Sequence, residues 1–342
     1  MPQKNQGWEV RVSRLVVICI SRYCALCVLA TGTRPFALRQ ARDERGEGVA
    51  KPFPLVVSLS NREPAPPMAR IAICAPSAPF THEDAARVTA LARAEFPSHE
   101  LHFHPQCFLA DGHFAGPDEM RLNAFVECAN DPLFDAVWFA RGGYGAMRIA
   151  QDAIPLLDDN AGRKTYLGYS DGGTLLAALY RAHIGRPVHA PMCADIRREG
   201  GEAAVRRVLG YLAGDESGLE PSIGGQPAVA FNLMVLAMLC GTPLLPGVAG
   251  HVVMLEEVSE YLYSVDRLFF HVTAHLGGIA GIRLGRISDV PENDRPFGFG
   301  AEDIARHWCE RHAIPFLGRA DIGHDAANRI VPFGVAGGRR GQ

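Results

Sequence analysis

Short apolar runs alternate with longer amphipathic stretches along the chain from residue 70 onwards. Four of these runs have the length and apolar content of buried strands, namely "RIAICAP", "FDAVWFA", "TYLGY" and "RPVHAPM". The stretch "THEDAARVTALARAEF" has helical spacing, acidic residues in its first turn and Thr81 at the capping position. Strands that alternate with helices predict an α/β domain with a doubly wound, mainly parallel sheet, which binds ligands at the carboxyl ends of its strands.

The second half of the chain alternates in a similar way. "AFNLMVLAMLCGTPLLP" predicts a helix that ends at Gly241, Thr242 and Pro243. Strands are predicted for "HVVMLEEV" and "IRLGRISDV", and helices for "YLYSVDRLFFHVTAHLGGI" and "AEDIARHWCERHA". These elements predict a second domain that contains both strands and helices.

Composition shifts along the chain suggest the domain boundaries. We place an N-terminal domain at residues 68–195 and a C-terminal domain at residues 229–335. Residues 196–228 hold a short helix followed by a connection rich in Gly, Pro and Ser, which we interpret as a linker, and residues 336–342 form a tail.

Residues 1–67 differ from the rest of the chain. Their apolar runs are short and interrupted by Arg22, and polar, Pro-rich stretches follow before Met68. We expect this segment to be a disordered or non-native extension, with the functional protein starting near Met68. A poor secretory signal peptide is the alternative interpretation.

Composition excludes several classes of partner. The chain has 342 residues, of which 48% are hydrophobic, and its formal net charge of -3 gives no basic footprint for nucleic acid or for stable membrane association. The nine cysteines are odd in number and mostly scattered, which predicts free thiols in a reducing cytoplasm. Cys24 and Cys27 form a lone C-x-x-C without a βαβ context, so we predict neither a metal site nor a redox cofactor.

The segment "GYSDG" contains the strongest candidate for chemistry. It satisfies the G-x-S-x-G pattern, in which a tight turn between a strand and a helix exposes a serine hydroxyl above the sheet. The helical pattern opens at Leu175, so Ser170 is a candidate nucleophile. A serine that only completes the turn or caps the helix is the alternative, and Asp171 also fits an acid stabilised by the helix dipole.

A serine nucleophile needs a base and an orienting acid. His324 lies in the Gly-flanked polar segment "DIGHDAANRIVPFG" and is the preferred base, while His189 is a candidate for lining the same cleft. Glu256 and Glu257 follow an apolar strand and are candidates for the acid. Four other histidines have helical surroundings and are expected at or near the surface: His271, His275, His307 and His312.

A glycine-rich turn, "ARGGYGA", follows the predicted strand "FDAVWF". Successive glycines let backbone N–H groups converge on an anion, which could be an oxyanion or a phosphate. The segment matches neither the G-x-G-x-x-G pattern nor the Walker phosphate-binding loop. A plain glycine turn is the alternative.

Seven segments in this order resemble the LD-carboxypeptidases, serine peptidase family S66, which includes muramoyltetrapeptide carboxypeptidase and the microcin-immunity peptidases. The resemblance runs from about residue 70 to about residue 335 and is carried by "IAICAPSAP", "RGGYGAMRI", "YLGYSD", "HAPM", "NLMVLAMLCGTPLLP", "MLEEVSEYLYSVDRLFFHV" and "IGHDAANRIVPFG". It implies that Ser170 is the nucleophile, Glu256 the acid and His324 the base. The acid and base would then come from the second domain, which the resemblance implies to be a smaller, β-rich α/β domain.

The same resemblance implies further roles. The backbone N–H groups of Gly143 and Asp171 would form the oxyanion hole, and Arg141 and Tyr144 are candidates for substrate binding. It also implies a cytoplasmic homodimer without metal or cofactor, whose partner is a murein peptide. The expected reaction is release of the terminal D-alanine of murein tetrapeptides during cell-wall recycling.

Two departures and three alternatives accompany this interpretation. Gly172 and Gly173 precede Thr174 where the family commonly has a hydrophobic residue, and Glu257 stands where the family has Asp. The first of these departures lies at the wall of the site and affects substrate preference more than the reaction. The alternatives are a microcin-immunity-like hydrolase of aminoacyl-nucleotide conjugates, an α/β-hydrolase-type esterase, and a non-enzymatic module that binds an anion through "RGGYG".

Overall fold

The computed structural model of the protein describes residues 68–335, together with the backbone of four short strands nearer the N-terminus. These strands pair antiparallel, Arg11–Val12 with Arg34–Pro35 and Leu15–Ile18 with Cys27–Ala30. The predictions about the 1–67 extension, the Cys24 and Cys27 side chains and the 336–342 tail lie outside the described residues.

Residues 68–335 form ten strands and eight α-helices. The strands are β1 (Arg70–Cys74), β2 (Glu100–Phe103), β3 (Ala136–Phe139), β4 (Thr165–Gly168), β5 (Arg186–His189), β6 (Ala228–Asn232), β7 (Val252–Val258), β8 (Gly281–Ser288), β9 (Phe316–Arg319) and β10 (Val331–Pro332). The helices are α1 (His82–Glu95), α2 (Asp118–Asn130), α3 (Ala146–Ala153), α4 (Gly173–Ala182), α5 (Gly201–Leu212), α6 (Leu233–Leu239), α7 (Leu262–His275) and α8 (Ala301–Arg311). None of these helices is long and apolar enough to span a bilayer.

The first sheet has the strand order β2-β1-β3-β4-β5-β10. Its first five strands are parallel, and β10 pairs antiparallel with β5. Alternate residues of β1 face opposite sides: Ile71 and Ile73 pack with residues of α1 and α5, whereas Ala72 and Cys74 pack with residues of α2, α3 and α4. Helices therefore cover both faces, which confirms the predicted doubly wound, mainly parallel sheet.

The second sheet consists of four parallel strands in the order β6-β7-β8-β9. Val253 and Leu255 of β7 face the apolar sides of α6, α7 and α8, and this cluster is continuous with the layer formed by α2, α3 and α4. Met254 faces the other side, where Ile322 and Val331 cover it. This smaller sheet confirms the predicted second α/β unit.

Two segments differ in detail from the sequence-based expectation. The helix predicted to start at Ala230 begins only at Leu233, because residues Ala228–Asn232 form strand β6 and the Asn232 side chain caps the helix by accepting a hydrogen bond from the Val235 N–H. The short helix predicted within the 196–228 linker is present as α5, but its Val205 and Val208 are fully buried in a hydrophobic core cluster. The domain boundaries at 195 and 229 stay predictions.

Strand β10 lies between the two sheets. On one side Val331 pairs with His189 of β5. On the other side Gly334, which follows the strand, exchanges two backbone hydrogen bonds of 2.9 Å with Ala228 of β6. The chain therefore returns to the first sheet after it has completed the second.

The six cysteines in the described part of the chain are all free, buried thiols. This agrees with the expectation of unpaired cysteines for these six positions.

Candidate active site

Ser170 lies on a sharp bend between β4 and α4, as the elbow pattern predicts. Its φ of 55° places a non-glycine residue in the left-handed region, which is an unfavourable conformation that concentrates at functional sites. Gly168, two residues before the serine, packs closely on Phe139, since an added Cβ there would lie only 2.5 Å from Phe139 Cδ2. The turn thus holds the serine side chain, which is half-buried, at the carboxyl end of the first sheet.

The glycine-rich turn after β3 lies directly against this serine. A Cβ on Gly142 would come within 3.0 Å of Ser170 Oγ, so any larger residue there would press against the hydroxyl. Gly143 is exposed with a φ of 112°, and it follows directly. The structure therefore brings the predicted oxyanion turn and the predicted nucleophile together.

The Asp171 side chain has a structural role of its own. Its Oδ2 accepts hydrogen bonds from Ser77 Oγ (2.5 Å) and from the Ala146 N–H (2.8 Å). Burial raises the pKa of this carboxyl more than the two hydrogen bonds lower it. Asp171 therefore ties the serine turn to the loop after β1 and to the start of α3, rather than to the helix that follows it in sequence.

Glu256 and His324 form a direct pair. The register between β7 and β8 shifts between Leu255 and Glu257, so Glu256 lies at an irregularity that re-aims its side chain. Its Oε2 lies 2.8 Å from His324 Nδ1, and its side chain is fully buried. Glu256 Oε1 is also buried and has no hydrogen-bond partner among the described residues.

The surroundings of His324 favour its protonated form. Burial lowers the pKa of the imidazole, but the hydrogen bond and the negative charge of Glu256 outweigh burial and raise the pKa above its usual value. Since the carboxylate accepts a hydrogen bond from Nδ1–H, Nε2 carries the lone pair and is the atom available as a base. Within residues 68–335, this pair does not belong to any group of three metal-ligating side chains.

Tyr169, which the sequence analysis missed, connects the serine turn to the histidine. Its ring centroid lies 4.8 Å from that of His324, and its hydroxyl donates a 2.9 Å hydrogen bond to Asp195 Oδ1. Arg198 donates to the same carboxylate oxygen from Nε at 2.8 Å. Ser170 follows Tyr169 directly, so the serine turn lies beside the ring of His324 through its neighbour Tyr169. The "GYSDG" motif contains the tyrosine but gives no signal for its partners.

The loop that carries His324 is held at both sides. Arg286 on β8 binds Asp325 through two hydrogen bonds (2.5 and 2.9 Å) and Asp321 through a third (2.6 Å). Asn328 Oδ1 lies 3.0 Å from His189 Nε2, and burial lowers the pKa of His189. His189 is fully buried, so it supports the loop and does not line an open cleft.

Glu257 anchors the neighbouring helix. One oxygen of its carboxylate accepts a 2.6 Å hydrogen bond from Asn232 Nδ2, and the other accepts from the Met234 N–H at 2.7 Å. Burial raises the pKa of Glu257 more than these hydrogen bonds lower it. The carboxylate thereby binds the N-terminus of α6, where a negative charge is favourable. Of the two adjacent glutamates, Glu256 alone pairs with His324.

The two candidates for substrate binding differ in their environment. Arg141 is half-buried and donates a 3.2 Å hydrogen bond from Nη1 to the Pro79 carbonyl, so it braces the loop after β1. Burial lowers its pKa, and the nearby Arg197 lowers it further. Tyr144 is 47% exposed, and its ring lies near those of His113 and Phe114.

Comparison with models of protein families matches both halves of the described chain to one family. The model of the LD-carboxypeptidase N-terminal domain matches residues 71–190, and that of the C-terminal domain matches residues 227–337. The three residues of the predicted triad lie within these ranges.

Individual relatives agree with the family models. A protein of Streptomyces coelicolor that is named a carboxypeptidase is 30% identical over 295 residues, which cover 79% of this chain and 89% of the relative. The murein tetrapeptide carboxypeptidase of Pseudomonas aeruginosa is 28% identical over 253 residues, which cover 65% of this chain and 78% of the relative.

Solved structures show the same fold. Muramoyltetrapeptide carboxypeptidase from Oxalobacter formigenes superposes with a TM-score of 0.64 at 22% identity, covering 78% of this chain and 92% of that chain. MccF in complex with glutamyl sulfamoyl guanosine superposes with a TM-score of 0.65 at 17% identity, covering 80% and 94%. Sequence, family models and fold agree that the chain belongs to the LD-carboxypeptidase family, peptidase family S66, and is a carboxypeptidase-type hydrolase.

Proposed function

We propose that the protein is a serine LD-carboxypeptidase that removes the terminal D-alanine from murein tetrapeptides. The observation that carries this proposal is the buried Glu256–His324 pair beside the turn of Tyr169 and Ser170. An imidazole held by a carboxylate is the base that a serine nucleophile requires. The name of the Pseudomonas aeruginosa relative supports the choice of substrate.

The proposed reaction starts with attack of Ser170 Oγ on the carbonyl that joins an L-configured centre to D-alanine. His324 Nε2 accepts the serine proton and later donates it to the amine of the departing D-alanine. Glu256 keeps the proton on Nδ1 and stabilises the imidazolium that forms. Water then hydrolyses the acyl-enzyme, with His324 again acting as base. Attack requires Ser170 Oγ and His324 Nε2 to reach hydrogen-bond distance in the substrate complex.

The oxyanion that develops on this carbonyl needs N–H donors. We assign them to the backbone of Asp171, directly after the nucleophile, and of Gly143, directly after the glycine that touches Ser170. Such a donor typically contributes about 10²–10³ to the rate. The buried Asp171 carboxylate holds the turn in place through Ser77 and Ala146.

Substrate binding by an exopeptidase includes the free terminal carboxylate. Arg141 is the proposed partner for it, because it directly precedes the glycine that touches Ser170 and it donates one weak hydrogen bond to the protein through Nη1. Tyr144, at the exposed tip of the same turn, is the proposed contact for the rest of the peptide.

We further propose, from the family resemblance, that the enzyme acts in the cytoplasm as a homodimer in cell-wall recycling. It would need neither metal nor cofactor for the reaction, and its partners would include neither nucleic acid nor a membrane.

The decisive experiment is incubation of the purified protein with an L,D-linked murein tetrapeptide, with release of D-alanine followed by mass spectrometry. We expect Ser170→Ala, Glu256→Gln and His324→Ala to lower kcat/KM by at least 10²-fold, whereas Ser264→Ala on α7 and His307→Ala on α8 leave it unchanged. Near wild-type release by a triad variant would refute the role of that residue.

Two further substrates separate the alternatives. Preferred turnover of an aminoacyl-sulfamoyl adenosine would instead support the microcin-immunity-like hydrolase, whose fold this chain shares. Rapid cleavage of simple esters without D-alanine release would favour the esterase. Cellular function that survives Ser170→Ala would favour the non-enzymatic anion-binding module.

A further inference from the structure

Three metal-ligating side chains come together at the C-terminal ends of α6 and α7. Cys240 caps the end of α6, and His271 and His275 lie one turn apart on α7. One potential ligand atom of each residue lies within 4.8 Å of those of the other two. Cysteine thiolate and imidazole are the ligands that Zn²⁺ prefers in proteins. We propose that this cluster is a transition-metal site, with Zn²⁺ as its ion, that joins α6 to α7.

The helix geometry supports the site. Residues four apart on a helix project from the same face, so His271 and His275 present their rings side by side, with centroids 4.4 Å apart. His275 Nδ1 lies 2.8 Å from the His271 carbonyl oxygen. A donated hydrogen bond from Nδ1–H leaves Nε2 of His275 with its lone pair free for a metal, which is the arrangement that most ligating histidines show.

The third ligand comes from a different element, which is what distinguishes this cluster from an ordinary surface histidine pair. The backbone N–H of Cys240 donates to the Leu236 carbonyl, and Gly241 turns the chain away with a φ of 77°. The thiol is thereby held at the α6–α7 contact. Sequence spacing gives no hint of this, because Cys240 is far from the two histidines along the chain.

Distances and exposure allow an ion to enter. In a tetrahedral zinc site, ligand atoms lie about 3.4–3.6 Å apart, so small rotations of the exposed His275 and the half-buried His271 would close the cluster around an ion. Cys240 is 9% exposed, so it forms the buried side of the three-residue cluster. Three protein ligands leave a fourth position for water. On binding, the thiol releases its proton to solvent as the sulfur–zinc bond forms.

The site is separate from the proposed reaction. Helix α6 is about 10 Å long, and its other end is the one that Glu257 binds. The ion would therefore stabilise the packing of α6 on α7 and would take no part in peptide hydrolysis.

The test uses the full-length protein without a polyhistidine tag, stripped of metal and titrated with Zn²⁺ against a chromophoric chelator. We expect one ion per chain, and an upward shift in Tm on binding. Cys240→Ser, His271→Gln and His275→Gln should each weaken binding by at least 100-fold. Substitution of Co²⁺ should give a cobalt–thiolate charge-transfer band that Cys240→Ser abolishes.

Matched controls complete the experiment. His307→Gln on α8 and the double variant Cys24→Ser/Cys27→Ser should bind Zn²⁺ as the wild type does. Loss of binding in the double variant with retention in Cys240→Ser would overturn the proposal, as would the absence of stoichiometric binding to the wild type. All of these readouts are independent of peptidase activity, so failure of the proposed function would not affect them.

Discussion

Two effects shift the pKa of His324 in opposite directions. Burial disfavours its charged form, while the carboxylate of Glu256 at 2.8 Å favours that form and dominates. Its side chain keeps 13% of its surface exposed, whereas that of Glu256 has none. His324 can therefore be reached from one side, while Glu256 stays shielded from solvent. An interaction between opposite charges is stronger in such a shielded environment than in water.

This balance predicts a change in the pH profile of Glu256→Gln. If His324 is the base, we expect wild-type kcat/KM to fall as pH drops through its raised pKa, because protonated imidazole cannot accept the serine proton. Glutamine removes the effect that raises the pKa and leaves burial, which lowers it. The acidic limb of kcat/KM against pH should therefore move to lower pH, together with a fall in the plateau. A limb that stays in place, as expected for the control Glu310→Gln, would contradict this assignment.

Gly142 gives a second prediction at this scale. A methyl group there would approach Ser170 Oγ to 3.0 Å and Ser170 Cβ to 3.1 Å, so Gly142→Ala should displace the nucleophile. We expect kcat/KM to fall by about 10- to 100-fold, with circular dichroism and Tm close to those of the wild type. Gly162→Ala is the matched control, because its added Cβ would have nothing within 4 Å. Equal activity of the two variants would show that the turn has no positioning role.

The sequence predicts candidate site residues where they belong to a short, recognisable segment. Ser170 and its flanking glycines form one motif, and Glu256 and His324 each belong to a segment typical of the family. Tyr169 and Asp195 could not be linked in this way, because their hydrogen bond joins separate loops that only the fold brings together.

At the scale of structural elements, the loop between β9 and β10 is held in place by side chains of a neighbouring strand. It carries His324, and the planar guanidinium of Arg286 on β8 binds the carboxylates of Asp321 and Asp325 on both sides of it. Lysine cannot reproduce such a forked contact. Arg286 is therefore a positioning residue, which acts on the reaction through the loop.

Arg286→Lys should lower kcat by about 10- to 100-fold while changing KM little, because the loop would hold the base less accurately without altering substrate contacts. Steady-state kinetics over a range of tetrapeptide concentrations separates the two constants. Arg306→Lys, which alters an exposed pair with Glu302 on α8, provides the control and should change neither. A rise in KM with unchanged kcat would instead place Arg286 in substrate binding.

Local sequence patterns predict most helices and strands, but they misplace the ends of some of them. Thr81 caps α1 as expected, its side chain accepting from the Asp84 N–H. The apolar residues of "AFN" continue those of α6 and predict a helix, but pairing with β7 makes this stretch a strand. Strand β2 has four residues at the sheet edge with alternating exposure, which is too short for a periodic signal.

At the scale of the whole molecule, the succession of strands and helices predicts the mainly parallel first sheet and a second unit of strands and helices. It does not predict that the second sheet is parallel as well. The return of the chain to the first sheet was not predictable, since β10 has two residues and its pairing with β5 is a long-range contact. The two sheets also share part of their core. Residues of α4, which covers the first sheet, and of α6 and α7, which cover the second, belong to one apolar cluster.

The position of β10 has a consequence for how the molecule moves. The histidine-bearing loop leaves the second sheet at β9 and enters β10, which is hydrogen-bonded to β5 on one side while the adjoining Gly334 is bonded to Ala228 on the other. A hinge opening between the two sheets that moved His324 away from Ser170 would break main-chain hydrogen bonds of this segment, either those to β5 or those to Ala228. Each broken bond has a net cost of about 1 kcal/mol. The path of the main chain thus limits hinge motion between the first and second sheets. Ser170 and His324 are therefore expected to keep their relative positions between catalytic cycles.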